Sequence, residues 1–296
     1  MNYKILKEKF LGSILGTAVG DALGKPIENL SKIEIKNKYG KVEQMIDGRY
    51  TNNTQMMKAV AESLIQCKGF DIQHMANQLV KNYQPSRGYE YELVKALKAV
   101  KANKPLPFDS LGNASASRIA PIGLFYFDDS HKQEKVAKDS SGITHSHPLT
   151  KEGSWLFARS IGLALVKEDR RDILVEISNI SKPPYKKALD YAASVDVKTD
   201  TLYSPTKLAV SSNIWHSLGA VTYTAFFSSN FKEALIYIVN LGGDTSALGA
   251  MCGALTGAYW GIKAIPLEWL DHLEDREYLE KLAENLFRVK ADQSKA

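Results

Sequence analysis

Two short polar segments stand immediately before helical stretches: Thr51-Asn52-Asn53-Thr54, with a helix opening at Gln55, and Gly242-Gly243-Asp244-Thr245-Ser246. Their side chains offer mostly oxygen. A cluster of such oxygens beside a carboxylate is what a hard cation such as magnesium prefers, in near-octahedral geometry. Glu28 is the carboxylate that would join them. Taken alone, each segment reads equally as a helix N-cap, in which a side-chain oxygen accepts a backbone N–H and does nothing more. His145 and His147 have the spacing of a metal pair, yet His147 precedes Pro148 and a helix start and reads as structural.

A helix pair would bring the two segments together. Gly12, Gly16, Gly20 and Gly24 recur every four residues, and so do Gly249, Gly253, Gly257 and Gly261. Each helical glycine costs about 0.8–1 kcal/mol against alanine, so two such ridges need a compensating contact. Four-spaced glycines form a smooth ridge that lets a second helix approach closely. The polar Thr17, Asp21 and Thr256 favour a buried intramolecular pair over membrane spans. Packed antiparallel, the end of the first helix meets the start of the second, and Asp21 and Glu28 converge on Gly242–Thr245.

The rest of the chain has three-to-four-residue apolar spacing and no period-two alternation. Helices are predicted over 3–23, 55–67, 72–83, 91–102, 115–127, 151–166, 170–180, 185–194, 215–227, 231–240, 246–261 and 278–288. Breaks fall at Pro26, Asp47-Gly48, Pro85, Pro105, Pro148, Pro183-Pro184, Pro205 and Pro266. The 296 residues carry 44% hydrophobic and 24% charged residues, ordinary for a globular chain, and one domain over 1–296 is expected. The net charge of +5 rests on lysine-rich helical faces with no basic–aromatic block, so no nucleic-acid partner is expected. Lys4, Lys7 and Lys9 precede an apolar run, but Glu8 and Asp21 break the pattern of a signal peptide or a span. A cytoplasmic protein with no membrane partner is expected. Its two cysteines, Cys67 and Cys252, read as buried free thiols.

The string Gly12-Ser-Ile-Leu-Gly-Thr-Ala-Val-Gly-Asp-Ala-Leu-Gly-Lys-Pro-Ile-Glu28 resembles the opening helix of the ADP-ribosylglycohydrolase family. Further matches follow in that family's order: Ser86–Tyr89, Gly112-Asn113 leading to Arg118–Gly123, Ile143–Pro148, Asn240–Thr245 and Gly253–Gly261. The resemblance spans roughly residues 8 to 288. It implies an all-α, compact single-domain orthogonal helical bundle with a dinuclear magnesium site in a cleft. It also implies a partner that is ADP-ribose or an ADP-ribosylated protein, and cleavage of the bond between ADP-ribose and a side chain. Tyr89, Glu90, Ser110, Gly112, Asn113 and His145 fall at substrate-binding positions by the same resemblance, and Thr51, Asn52, Asn53, Asp244 and Ser246 at metal positions.

Three carboxylates of the family's pattern are missing: Asn52, Asn53 and Ser246 stand where it has aspartates, and Ala247 where it has a hydroxyl. At about 4 Å and an effective dielectric near 20, each lost charge removes around 4 kcal/mol of attraction, before solvation offsets. Magnesium is therefore expected to bind weakly or not at all. Glu28 and Asp244 remain as catalytic candidates, because carboxylates about 5–9 Å apart can break a glycosidic bond without metal. Glu90 and Glu92, after Tyr89, would repel a diphosphate unless they turn outward. The alternative is a catalytically inactive relative that binds ADP-ribose or a protein partner, or serves as a structural body.

Overall fold

The computed structural model describes residues 2–194 and 211–293, so the break expected at Pro205 lies outside the described residues. Every regular element among them is a helix, apart from two isolated bridges, Ser31–Gly242 and Gly112–Asn213. The first third holds α1 (Tyr3–Gly24), α2 (Lys32–Tyr39), α3 (Asn52–Cys67), α4 (Ile72–Lys81) and α5 (Tyr91–Lys101). Two short helices, α6 (Ala114–Ser117) and α7 (Ala120–Phe125), lead into α8 (Ser130–Gly142), α9 (Pro148–Val166), α10 (Arg170–Ile180) and α11 (Tyr185–Ser194). After them come α12 (Ile214–Phe227), α13 (Phe231–Val239), α14 (Thr245–Trp260), α15 (Leu267–His272) and α16 (Arg276–Gln293).

The centre of the bundle is the antiparallel pair α1–α14. Gly12 lies on the backbone of Gly257, Gly16 on Gly253 and Gly20 on Gly249, so that a methyl group on any of them would overlap a carbonyl oxygen of its partner. The paired ridge is as predicted, with a shift at its ends. Gly24 meets the backbone of Thr245, whose hydroxyl donates to the Gly24 carbonyl at 2.8 Å, while Gly261 ends α14 with φ 78°. Around this pair the buried side chains form one continuous apolar cluster, reaching from Phe10 and Ile14 to Phe157, Phe231 and Trp269. No helix among the described residues is long and apolar enough to cross a membrane.

Three expectations change. The helix predicted over 115–127 is two, because Pro121 has no N–H to continue the ladder and the chain restarts at α7. The start of α3 lies at Asn52 rather than Gln55, with Thr51 as its cap. Cys67 is exposed, since α3 ends there and Lys68 turns left-handed at φ 48°; Cys252 is buried as expected.

Candidate active site

The polar cluster forms where the α1–α14 pair ends. After α1 the turn Lys25–Ile27 delivers Glu28 beside the start of α14. Two backbone bonds lock that approach: Asn29 N–H donates to the Gly243 carbonyl at 2.8 Å and Gly243 N–H to the Leu30 carbonyl at 2.9 Å. Gly242 and Gly243 have φ of 85° and 77°, the left-handed region that glycine enters at no steric cost. A Cβ on Gly242 would also lie 2.7 Å from the Leu30 carbonyl oxygen. The two glycines thus let the segments cross and set Asp244 at the head of α14.

The start of α3 is held by Asp21. Its carboxylate accepts the backbone N–H groups of Thr51 (3.0 Å) and Thr54 (2.9 Å) and both their hydroxyls (2.7 Å each). Burial raises the Asp21 pKa, and these four donors oppose the rise. Asp21 therefore anchors α3, whereas its spacing in the sequence placed it against the Gly242–Thr245 segment.

With its proton committed to Asp21, the Thr51 hydroxyl offers only lone pairs to the cleft. Asn53 takes both: its backbone N–H reaches Thr51 Oγ1 at 3.2 Å and its Nδ2 at 3.0 Å. The same Nδ2 donates to Ser246 Oγ at 3.2 Å, while Asn53 Oδ1 accepts the Ser117 hydroxyl at 2.7 Å. That amide orientation follows from Thr51, whose proton points elsewhere and which can receive an N–H but not face an oxygen. Asn52, also buried, is the first residue of α3.

Asp244 occupies the N-cap position of α14, where its carboxylate faces the Ala247 N–H too distantly for a full cap bond. Its short contact is with Asn113 Nδ2, 2.8 Å away, which also donates to Ser217 Oγ at 2.9 Å. Burial raises the Asp244 pKa; Asn113, and more weakly the Ala247 N–H, oppose the rise. Glu28 is pushed up to about 7, first by burial and then by the charge of Asp244, against a hydrogen bond from Ser246. Glu90 stands within reach of the same charge: partial burial, Asp244 and then Glu92 raise its pKa. Of the two glutamates expected to repel a diphosphate unless they turn outward, both are exposed, and Glu90 remains coupled to the cleft through Asp244.

The remaining predicted residues form the neighbouring wall. Tyr89 donates its hydroxyl to Gln55 Oε1 at 2.8 Å. Ser110 Oγ accepts the Gly112 N–H at 3.2 Å, and a Cβ on Gly112 would stand 3.6 Å from His145 Nε2. His145 is buried, its Nδ1 is 2.8 Å from Thr144 Oγ1, and burial with the nearby Arg118 charge lowers its pKa to about 3. Arg118 is itself fully buried, donating to Thr144 Oγ1 (2.8 Å) and the Ser140 carbonyl (3.1 Å), and burial lowers its pKa to about 10. His147 caps α9 through Nδ1, which accepts the Leu149 N–H at 3.1 Å. Among the described residues no three His, Cys, Asp or Glu side chains converge as metal ligands.

Ser117, Ser217 and Gln55 complete the cluster and were not predicted. Ser117 lies four residues after Asn113, the helical spacing that puts both on one face, and that signal was available. Ser217 reaches Asn113 only because Asn113 N–H pairs with the Ser212 carbonyl (2.8 Å) and Ile214 N–H with that of Leu111 (3.0 Å), a contact no local pattern announces.

Comparison with known proteins matches residues 2–296 to the family described as ADP-ribosylglycohydrolase. An uncharacterised protein of Archaeoglobus fulgidus is 32% identical, over 96% of this chain and 97% of its own. ADP-ribosylhydrolase ARH3 of Gallus gallus is 27% identical over 96% and 94%. ADP-ribosyl-[dinitrogen reductase] glycohydrolase of Rhodospirillum rubrum is 26% identical over 90% of each chain. A solved structure titled ADP-ribosylglycohydrolase-related protein complex superposes with a TM-score of 0.80 at 27% identity, covering 97% of this chain and 99% of that one.

Proposed function

Because the chain belongs to the ADP-ribosylglycohydrolase family, we propose that it acts on or recognises ADP-ribose linked to a protein side chain, by a route altered from dinuclear magnesium chemistry. The state of the Asn53 amide carries this reading. A magnesium pair would need oxygen lone pairs from Thr51, positions 52 and 53, Asp244 and position 246. Asn53 instead turns its NH2 inward and occupies the acceptor sites of Thr51 and Ser246. Asp244 is already bonded to Asn113, and two facing carboxylates leave most of the charge of two dications uncompensated. We read this donor set as unfit for the pair.

The carboxylates are suited to proton transfer. With its pKa near 7, Glu28 is about half protonated at neutral pH and can donate a proton to a leaving side-chain nitrogen or oxygen. Asp244, held by Asn113, is the partner that would accept a proton from an attacking water. Asn113, Gly112 and Ser110 form the wall against which ADP-ribose would lie.

A peptide carrying ADP-ribose, incubated with the protein in EDTA, tests the reading. Slow release of ADP-ribose that Glu28→Gln and Asp244→Asn each abolish is the expected result. Turnover that appears only with magnesium would overturn the altered route. Binding of free ADP-ribose without any turnover would select the second reading, a silent binder. That reading draws on the closed bonding of Thr51, Asn53 and Ser246.

A further inference from the structure

Between α2 and α13, sharing no lining residue with the cleft, lies a cavity of about 810 Å3. Its apolar floor is Ile35, Ile236 and Leu241, all buried. Its rim carries four lysines, Lys32, Lys36, Lys41 and Lys232, and a single carboxylate, Glu233, whose Oε2 accepts the Ser229 N–H at 2.6 Å. Lys41 pairs with Glu43 (2.7 Å) and Lys232 with Glu268 (2.9 Å). Lys32 and Lys36 have no carboxylate within 4 Å among the described residues.

Helix stability accounts for only part of this pair. Lys32 is the first residue of α2, where the helix dipole disfavours a cation. Lys36 follows on the same face in the last turn of α2, where the dipole favours a cation but Lys32 repels it. Glu34, the acidic residue between them, is committed to the capping box with Ser31. Ile35 is the one buried residue of α2, so the helix itself contributes little to the core. An apolar floor beneath two uncompensated ammonium groups is complementary to an anion with an apolar body. The cavity has the size of a small-ligand site, and the chain's net charge of +5 opposes a second copy of itself there.

We propose that this cavity binds a medium-chain carboxylate, with its alkyl chain on Ile35, Ile236 and Leu241 and its head group between Lys32 and Lys36. Titration calorimetry with dodecanoate below its micelle concentration tests this on the full chain. One site per chain is expected, with acetate and dodecanol each at least about tenfold weaker, since each supplies half of the complementarity. The double variant Lys32→Glu, Lys36→Glu changes exposed side chains, should keep its melting temperature, and should weaken dodecanoate about tenfold or more. Equal affinity in the double variant, several dodecanoates per chain, or no saturation would overturn the proposal. So would tighter binding of an acidic amphipathic peptide, which would make the occupant a protein segment, or a dimer that the double variant dissolves.

Discussion

Along α1 and α14, glycine meets glycine backbone at three successive turns; one turn further, at Gly24 and Thr245, the same two helices begin to present side-chain oxygens. The two regions respond to substitution by different physics. In the ridge the controlling variable is volume, and a single methyl group strikes a carbonyl. In the cleft it is charge. Asparagine has nearly the shape of aspartate, and Asn53 finds donors and acceptors for its whole amide in Thr51, Ser246 and Ser117. A fold built on the first region can therefore persist while the chemistry of the second is replaced.

The ridge offers the largest effect. Gly16→Leu and Gly253→Leu should each cost about 3 kcal/mol or more in urea denaturation, because the obstruction is backbone and cannot swing aside. Gly16→Ala should already be clearly destabilising. Wild-type melting in both leucine variants would mean that the helices do not approach as closely as the glycine register requires.

Next comes restored charge. The parent should show no tight two-site magnesium binding by calorimetry. Asn52→Asp, Asn53→Asp and Ser246→Asp together should raise affinity at least about a hundredfold, since three carboxylates are added to the cluster. Without metal the triple variant should be less stable than the parent by about 1–3 kcal/mol, as buried like charges lose the bonds that Asn53 now makes. Tight binding by the unmodified chain would remove the contrast between the two regions.

The glycine ridge was legible because a helix that repeats its costliest common residue every four positions must recover that cost in a close contact along one face. Its register was not: the sequence pattern cannot tell that Gly24 faces Thr245, or that Gly12 packs against the backbone of both Gly257 and Gly261. Three helices were missed: α2 and α8 for want of an apolar face, α2 with only Ile35 buried and α8 with Gln133, Val136, Ala137, Ser140 and Ser141, and α15 because its six residues are too short to show a period. At the site, antiparallel packing correctly brought Glu28 beside Asp244. The roles of Asp21 and Asn113 were hidden, because each is set by a partner 30 or more residues away: Thr51 and Thr54 for Asp21, Asp244 and Ser217 for Asn113.

Glu28 gives a pH signature. Its folded pKa of about 7 lies above the ordinary 4.5, so the native state binds the extra proton. The associated stability is complete below about pH 4.5 and lost as pH rises through 7, a loss on the order of 3 kcal/mol. Asp21 and Asp244 are shifted in the same direction and steepen the decline. Glu28→Gln should flatten the stability curve between pH 5 and 8 and leave the variant more stable than the parent at pH 8. An unchanged slope would show that Glu28 is solvated and not coupled to Asp244.

The smallest effect concerns Glu90, the charge at the edge of the cleft. It is exposed enough to be solvated yet within reach of Asp244, so it adds negative potential where a diphosphate would lie. Removing an exposed charge of this kind changes an interaction by about 1 kcal/mol or less, a few-fold in affinity. Glu90→Gly should therefore tighten ADP-ribose binding a few-fold, with a matching rise in the ligand-induced melting shift. Asn113→Ala should do the reverse, since it removes an amide from the wall where ADP-ribose would lie and leaves Asp244 without its 2.8 Å donor. Added salt should shrink the gain of Glu90→Gly by screening an exposed charge, and leave the loss in Asn113→Ala nearly unchanged. If both weaken binding, Glu90 contacts the ligand directly, and the cleft selects ADP-ribose by hydrogen bonds to Glu90 instead of by relief of its charge.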